Sequence, residues 1–331
     1  MSQEKILTIS VAAYNIEQYI EKNLESFVNS QVNDLIEVIV VDDGSKDNTT
    51  AIVQKYVDKY PNTIKLVKQK NAGPGATVNT GLRNATGKYF KMVDGDDWVE
   101  TKNLNILVEN LCSIDTDMII TNNKVYDNSK EKVIGSVSFE LEDNKVFEFK
   151  NINNKLSLDM HNVAYRTSIL KENKIILDNG FYTDVEFLLL PMPFVNNVIY
   201  YNMDIYVYRI AREGQSVSLS SFQKNIKMHD IVLKRLIEYY EEYKMQIPEN
   251  VSSIVRNRLI MMADKQLQIL LSFEPNNDNK NKIKEYFKEI NFKSKEIYSF
   301  LVKLKKGRLL LLSNYKLYYI FSKYINKKSK Y

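Results

Sequence analysis

The chain is poor in cysteine and histidine, with one and two of these residues among 331. Cys112 cannot form an intramolecular disulfide, and we expect it to be a small buried hydrophobic side chain. One cysteine and two histidines are also too few for a structural zinc site. Any metal ion would therefore be bound by oxygen atoms, which favours magnesium, manganese or calcium.

Long apolar runs are missing as well. No segment approaches the roughly 20 apolar residues that a membrane-spanning helix needs, and 44% hydrophobic with 26% charged residues is a globular composition. Residues 1–5 do not have the basic flank and apolar core of a secretion signal. We therefore expect a cytoplasmic location.

Acidic residues are absent from the end of the chain. None follows Glu296, whereas nine lysines and arginines do, so the net charge of +5 comes from this tail. A basic tail differs from a basic surface, and nucleic acid is not an expected partner. Leucines and tyrosines cover a broad side of a single helix predicted over residues 309–325. This helix could pack on preceding helices, or residues 301–331 could rest on an anionic membrane, which would make the protein peripheral on the inner face of the cell membrane.

The first half of the sequence alternates strand and helix patterns, which predicts a largely parallel sheet with helices on both faces. Asn15, with Gln18 three residues later, resembles a capping box and predicts a first helix that begins at Ile16. Strands are predicted at residues 6–12, 36–41, 64–67, 89–93 and 118–125, of which the first two have the pattern of buried strands. One or two antiparallel strands are predicted at 133–149.

From about Phe222 the pattern is almost purely helical. The sequence therefore predicts an α/β domain over residues 1–221 and a helical region with a basic tail over residues 222–331.

Polar residues gather where the predicted strands end. Ligands of open α/β sheets bind outside the carboxyl ends of the strands. An isolated Asp-Asp-Gly is most often a turn, but several such groups at successive strand ends indicate one site. They are Tyr14 and Asn15 after the first strand, Asp42 and Asp43 after the second, residues 71–75 after the third and Asp94 to Asp97 after the fourth.

Asp94-Gly95-Asp96 has the composition of a divalent-cation site. Two carboxylates two residues apart, with a glycine that allows close approach, can hold Mg²⁺ or Mn²⁺ and leave other positions to phosphate oxygens. The spacing of a calcium-binding EF-hand is missing, and so is the Gly-Lys-Ser/Thr run of a P-loop. Gly73-Pro74-Gly75 follows the third strand rather than the first, which disfavours a dinucleotide loop.

These segments together resemble the family 2 glycosyltransferases, which are inverting enzymes with the GT-A fold. The resemblance covers roughly residues 5–220 and rests on Val11-Ala-Ala-Tyr14-Asn15, Val40-Val-Asp42-Asp43-Gly44-Ser45, Asn71-Ala-Gly73, Asn79-Thr-Gly81, Ala85-Thr-Gly87 and Val93-Asp94-Gly95-Asp96-Asp97-Trp98. It implies a GT-A fold with a mostly parallel central sheet, a nucleotide-sugar half over about 1–98 and an acceptor half over about 99–221. It also implies a nucleotide-diphosphate sugar donor, commonly a UDP-sugar, with Mn²⁺ or Mg²⁺ on its phosphates.

The resemblance also implies residue roles. Asp184 would be the catalytic base, and Asp96 would ligate the metal together with Asp94. Tyr206 to Arg209 and the segment from Arg212 onward resemble the mobile part that closes over the diphosphate. Residues implied in donor binding are Ala12, Tyr14, Asn15, Asp43, Asn71, Gly73, Asp94, Gly95, Arg212, Gln215 and Ser216. Trp98, His161 and Glu186 are weaker acceptor candidates, and for Trp98 and His161 a purely structural role is equally compatible with the sequence.

One departure concerns Val78-Asn79, where many members have Arg-Asn; Arg83 could replace the missing arginine. The expected activity is transfer of a hexose or N-acetylhexosamine to a glycan or lipid-linked acceptor in surface polysaccharide synthesis. A nucleotidyltransferase of related fold would have a glycine-rich basic loop after the first strand. A non-catalytic glycan-binding scaffold would have lost Asp96 or Asp184.

Overall fold

The computed structural model describes residues 4–28, 31–212 and 219–328. Within these ranges ten strands form one sheet. The strands are β1 (Leu7–Ala13), β2 (Ile36–Asp42), β3 (Ile64–Lys68), β4 (Tyr89–Asp94), β5 (Trp98–Val99), β6 (Met118–Asp127), β7 (Lys132–Val137), β8 (Lys145–Glu148), β9 (Val163–Arg166) and β10 (Asn197–Ile210).

Helices flank the sheet and make up the end of the chain. They are α1 (Ile20–Val28), α2 (Thr49–Lys59), α3 (Pro74–Asn84), α4 (Thr101–Leu111), α5 (Thr167–Glu172), α6 (Thr183–Leu189), α7 (Leu219–Lys224), α8 (Ile226–Tyr243), α9 (Glu249–Leu271), α10 (Asn277–Lys293), α11 (Lys295–Leu301), α12 (Lys305–Leu312) and α13 (Tyr318–Lys328).

The sheet has the order β3-β2-β1-β4-β9-β6-β10-β5, with β7 beside β6 and β8 beside β10. β1 pairs in parallel with β2 and β4, so Val11 lies opposite Val40 on one side and Val93 on the other. β9 is antiparallel to both β4 and β6, and β6 is parallel to β10. β1, β2, β3, β4, β6 and β10 therefore run in one direction and end at one edge of the sheet. The predicted mostly parallel sheet is confirmed, as are the antiparallel strands β7 and β8.

Apolar β-branched residues explain the central strands. All seven residues of β2 are buried, and β1 has one residue that is not fully buried. A strand with helices on both faces buries its successive side chains on both sides, which favours valine and isoleucine. The sequence of each central strand thus accounts for its burial in the core, and the polar residues at the strand ends are available to form a site.

Two local expectations are wrong. The first helix begins at Ile20 rather than Ile16, because Asn15 adopts a left-handed conformation with φ of 50° and does not cap a helix. Cys112 is exposed. The buried stripe of α4 ends at Leu111, and Cys112 falls on the next, solvent-facing position.

The chain divides into two compact units. One contains Met1–Ile152 with Leu158–Glu213, and the other contains Asn153–Ser157 with Gly214–Tyr331. The first, here called the α/β unit, contains all ten described strands, and the second is called the helical unit. This division falls eight residues before the boundary predicted at Phe222.

The tail forms two helices instead of the single predicted one. α12 and α13 are separated by a turn in which Asn314 and Tyr315 have φ of 46° and 59°, and such left-handed residues interrupt a right-handed helix. Leu310 and Tyr318 are fully buried, so both helices pack within the helical unit. Among the described helices, none combines the length and the apolar character needed to cross a bilayer.

Candidate active site

The loops after β1 and β2 are joined by hydrogen bonds. Asn15 N donates to Ser45 Oγ at 3.0 Å, and Lys46 N donates to the side-chain oxygen of Asn15 at 2.8 Å. Next to this junction the side chain of Tyr14 is 46% exposed. The side chain of Asn15 thus joins two loops, and Tyr14 remains open to solvent at the rim. Contacts of both residues with a nucleotide stay predictions.

Asp43 organises the loop after β3. Its carboxylate accepts hydrogen bonds from Gln69 Nε2 at 2.8 Å, from Ala72 N at 2.9 Å and from Gly73 N at 2.9 Å. The residue is buried, whereas Asn71 in the same loop is exposed. A buried carboxylate needs such donors to offset its lost hydration. Asp43 therefore shapes this loop, and its predicted contact with a base stays untested.

The glycines of this loop are required by a close approach of two backbones. A Cβ atom on Gly73 would lie 2.0 Å from the carbonyl oxygen of Asn179, and one on Gly75 would lie 1.6 Å from that of Asp178. Gly73 also has φ of 96°, a conformation that side chains disfavour. These glycines hold the loop after β3 against the segment that leads to α6.

Asn79 and Glu186 fix the same segment from two sides. Asn79 Nδ2 donates to Leu177 O at 2.8 Å, and Leu177 N donates to Asn79 Oδ1 at 2.9 Å. The carboxylate of Glu186, which has no exposed surface, accepts from Asp178 N at 2.7 Å. Glu186 is used inside the protein, and its burial disfavours the acceptor contact predicted for it. Sequence reasoning had noted Asn79 as part of the Asn79-Thr-Gly81 motif and beside the missing arginine, without this contact to Leu177. Arg83 is exposed, and its guanidinium donates to Thr80.

The loop over residues 94–97 is anchored through its backbone. Gly95 N donates to Ala12 O at 3.2 Å, and a Cβ on Gly95 would lie 2.7 Å from the same oxygen. Asn23 Nδ2 donates to Asp94 O at 3.2 Å and to Asp97 O at 2.8 Å. The glycine therefore allows the loop to lie directly on the end of β1, and Asn23 of α1 closes it.

Four charged side chains share the space beyond this edge. Burial, together with the charges of Asp96 and Asp184, raises the pKa of Asp94 to about 7, and Arg212 opposes the rise. Arg212 forms an ion pair with Asp96. Asp184 lies in the first turn of α6, one residue beyond its start, rather than at the N-cap. The structure thus brings together the predicted base, the predicted metal ligands and the predicted phosphate-binding arginine.

The carboxylates at this edge fit a divalent cation. They repel one another, a bound cation would offset this repulsion, and Mg²⁺ or Mn²⁺ prefers oxygen ligands. Among the described residues, one group of three side chains has ligand atoms within 4.8 Å of one another, and it consists of Asp94, Asp97 and His161. The prediction paired Asp94 with Asp96 as metal ligands, whereas this group pairs Asp94 with Asp97 and His161. The geometry therefore offers the Asp97 carboxylate as a second ligand beside Asp94, and the pairing of Asp94 with Asp96 stays a prediction.

Trp98 and His161 are both engaged within the protein. Lys22 Nζ lies 3.5 Å from the centroid of the Trp98 ring, and the guanidinium carbon of Arg209 lies 4.8 Å from it. The ring of His161 lies 4.5 Å from that of Tyr208. Cations that lie over the face of an aromatic ring stabilise the packed position of that ring. These contacts explain both side chains structurally, and their acceptor roles stay predictions.

Sequence reasoning missed Lys91. This lysine of β4 is buried, and its ammonium group donates to His161 O at 2.8 Å and to Val163 O at 3.2 Å. Burial lowers its pKa to about 7. The sequence could have indicated Lys91, because a lysine is unusual in an otherwise apolar strand.

Tyr206 and Arg209 were expected in a mobile segment; both are instead buried on β10. Gln215 and Ser216 lie outside the described residues.

Comparisons with known proteins find glycosyltransferases. The chain is 29% identical over 244 residues to "Glycosyltransferase GlyA" of Streptococcus pneumoniae, covering 68% of this chain and 33% of that protein. It is 33% identical over 111 residues to "Minor teichoic acid biosynthesis protein GgaA" of Bacillus subtilis, covering 32% of this chain and 25% of that protein. The chain thus spans a third or less of the length of these relatives.

A crystal structure of S. aureus TarS in complex with UDP-GlcNAc has a similar fold, with a TM-score of 0.63, 22% identity, and coverage of 95% of this chain and 90% of that one. At this identity the likeness concerns the fold, which is that of the predicted GT-A type. Residues 8–173, half of the chain, match the family described as "Glycosyl transferase family 2". The chain therefore belongs to glycosyl transferase family 2.

Proposed function

We propose that this chain transfers a hexose or an N-acetylhexosamine from a nucleotide-diphosphate sugar to an acceptor hydroxyl, with inversion and with a divalent cation. The observation that carries the proposal is the meeting of Asp94, Asp96, Asp184 and Arg212 at the carboxyl edge of the sheet. UDP is the proposed nucleotide, and the TarS complex with UDP-GlcNAc supports this choice through its shared fold.

In this proposal Asp94 and Asp96 hold Mn²⁺ or Mg²⁺, which when bound supplies positive charge to the leaving diphosphate. Arg212 lies beside Asp96 and would add a second positive charge at the same place. A nucleotidyltransferase of related fold would use a glycine-rich basic loop after β1, where this chain has Tyr14 and Asn15. Neither that alternative nor the non-catalytic scaffold is favoured by a specific observation.

Asp184 is the proposed general base. Its charge contributes to the raised pKa of Asp94, so it shares the site with the proposed metal ligands. Asn79, Gly75 and Glu186 hold the segment that leads to it. A carboxylate at this place would accept the proton of the acceptor hydroxyl as its oxygen attacks the sugar, a contribution of roughly 10²–10⁴-fold.

The test is a screen of nucleotide sugars for donor hydrolysis and transfer with and without Mn²⁺. We expect turnover of a UDP-sugar that excess EDTA abolishes and that Asp96→Ala removes. Asp204→Ala is a matched control, because its carboxylate accepts from Ser136 on β7 and is not one of the predicted site residues. Full activity of Asp96→Ala, or of the wild type in EDTA, would contradict the metal assignment.

The acceptor is proposed to be a glycan or lipid-linked molecule of the cell surface, which the printed name of the teichoic acid relative supports. The tail supports a peripheral position on the cytoplasmic face of the membrane. Leu312, Ile320 and Tyr324 of α12 and α13 are 75%, 62% and 64% exposed. Lys316 and Lys323 are exposed in the same segment, in which no acidic residue occurs. Apolar side chains flanked by lysines suit an anionic bilayer.

Co-sedimentation with vesicles tests the membrane proposal. Binding should require anionic lipid, weaken with salt, and decrease when Leu312, Ile320 and Tyr324 are all changed to serine. Phe292→Ser is the control, because Phe292 on α10 is 90% exposed and lies outside the basic tail. Equal binding to neutral vesicles, or an equal effect of the control, would contradict a docking role for this tail.

A further inference from the structure

The hydroxyl group of Tyr206 joins the two ends of the loop over residues 94–97. Asp94 N donates to Tyr206 Oη at 3.1 Å, and Tyr206 Oη donates to Asp97 Oδ2 at 2.6 Å. Tyr206 lies on β10 and has no exposed surface. A single buried hydroxyl therefore sets the separation between the backbone of Asp94 and the carboxylate of Asp97.

Arg209 completes this connection. Its backbone N–H donates to Asp97 Oδ1 at 2.7 Å, and its Nε donates to Asp96 O at 2.7 Å. A second guanidinium nitrogen donates to the side chain of Asn128, just after β6, at 2.7 Å. The loop is thus bound to β10 at Tyr206 and Arg209, and Arg209 is in turn bound to the end of the neighbouring β6.

Asp97 is arranged as an acceptor of these bonds rather than as a ligand. It is 1% exposed, one carboxylate oxygen accepts from Arg209 N and the other accepts from Tyr206 Oη. A metal ion at Asp97 would have to replace or share these donors. Asp96 is half-buried and its carboxylate meets the guanidinium of Arg212, a cation that a metal ion can displace.

We propose that Tyr206 and Asp97 are positioning residues, which hold the backbone of residues 94–97 so that Asp94 and Asp96 can bind the divalent cation. The inference rests on the proposed function. Residues that orient metal ligands through hydrogen bonds typically change metal affinity or activity by roughly 10–100-fold when they are replaced. The effect reaches the cation through the position of the ligands, and neither residue touches the donor.

The experiment compares Tyr206→Phe with Tyr201→Phe. Both tyrosines are buried on β10, and the hydroxyl of Tyr201 has no hydrogen-bond partner among the described residues. The two variants therefore undergo the same chemical change at a bonded and an unbonded hydroxyl. Mn²⁺ affinity is measured from the spin-resonance signal of the free ion, and UDP affinity is measured separately in EDTA.

We expect Tyr206→Phe to weaken Mn²⁺ binding by roughly 10-fold or more, with UDP affinity in EDTA unchanged and Tyr201→Phe equal to the wild type. Asp97→Asn serves as the second variant, and it should lose Mn²⁺ affinity to a similar degree, because its amide has a single acceptor oxygen and cannot accept from both Tyr206 Oη and Arg209 N. Thermal unfolding of each variant shows whether it is folded.

Three outcomes would overturn the inference. The first is an unchanged Mn²⁺ affinity in both Tyr206→Phe and Asp97→Asn. The second is a complete loss of Mn²⁺ binding in Asp97→Asn with an unchanged Mn²⁺ affinity in Tyr206→Phe, which would indicate that Asp97 is itself a metal ligand. The third is a parallel loss of UDP and Mn²⁺ binding, which would indicate a general structural role. A wild-type chain that binds no Mn²⁺ overturns the proposed metal dependence and this inference with it, so the two failures are distinguishable.

Discussion

The α/β unit and the helical unit use buried polar side chains differently. In the α/β unit such side chains hydrogen-bond to loop backbone at the carboxyl edge of the sheet, as Asp43 does to Ala72 and Gly73 and Asn79 does to Leu177. In the helical unit one such pair joins two helices. His229 on α8 lies 2.8 Å from the side-chain oxygen of Gln266 on α9.

Because of this difference, we expect substitutions of buried polar residues to act on activity in one unit and on stability in the other. A buried polar group is costly unless it is hydrogen-bonded, so removing the partner of such a group should have a measurable effect in either unit. When the partner is a loop, the bond sets the geometry of a site. When the partner is another helix, the bond holds the packing together. Loss of a buried polar contact should therefore reduce catalysis in the α/β unit and stability in the helical unit.

The largest expected effect belongs to Asp184→Asn in the α/β unit. The amide keeps the size of the side chain but cannot accept the proton, so kcat should fall by roughly 10²-fold or more, with donor affinity and thermal midpoint unchanged. Steady-state kinetics and donor titration measure these quantities, and Asp204→Asn is the control. A loss of donor binding with normal kcat would remove Asp184 from the base role.

The next effect concerns His229 in the helical unit. Burial lowers its pKa to about 4, although its hydrogen bond with Gln266 opposes the shift. The folded value lies below the unfolded value near 6.5, so the folded chain binds fewer protons. This contribution to stability is complete above about pH 6.5 and is lost as the pH falls toward 4, by up to ~3 kcal/mol.

Urea unfolding between pH 7 and pH 4 measures this contribution as the difference between the wild type and His229→Gln. The glutamine has no group that titrates in this range, so its stability should fall less steeply with decreasing pH. Activity at pH 7 should be the same in both proteins, since the helical unit is not expected to contribute to the chemistry. Parallel stability curves would show that His229 is not the responsible group.

A smaller effect is expected from Gly75→Ala. Its Cβ would lie 1.6 Å from the carbonyl oxygen of Asp178, so the segment before α6 must move. We expect destabilisation by about 1–3 kcal/mol, as for other overpacked sites, together with a fall in kcat because Asp184 is displaced. Gly135→Ala is the matched control, because among the described residues beyond its two chain neighbours no heavy atom lies within 4 Å of the added methyl group. Equal stability and activity of the two variants would contradict this role for Gly75.

The smallest effect is expected from Cys112→Ser. Cys112 is exposed at the end of α4, and its thiol lies 3.4 Å from the carbonyl oxygen of Val108. A serine hydroxyl can make the same contact, so the free energy of unfolding should change by less than ~0.5 kcal/mol and kcat should not change. A large decrease in the free energy of unfolding, measured with urea, would show that the thiol is packed against other side chains.

The first four strands could be read from the sequence because their signal is local. A β-branched run such as Ile36 to Val41 is buried on both faces wherever it is placed in a parallel sheet. The same reasoning placed Asp43 and Asp94 at one edge, since parallel strands share the direction of their carboxyl ends. It failed at Asn15, where a backbone conformation chosen by contacts with Ser45 and Lys46 replaced the expected helix cap.

By itself, the sequence determined the α/β class, the family, the helical character of the second half and which polar residues lie at strand ends. The tertiary structure decided what those residues contact. Asp97 meets Tyr206, and Asn79 meets Leu177, across separations of about one hundred residues. Such pairs carry no periodic signal, because a hydrogen bond depends on distance and direction between groups that only the folded chain brings together.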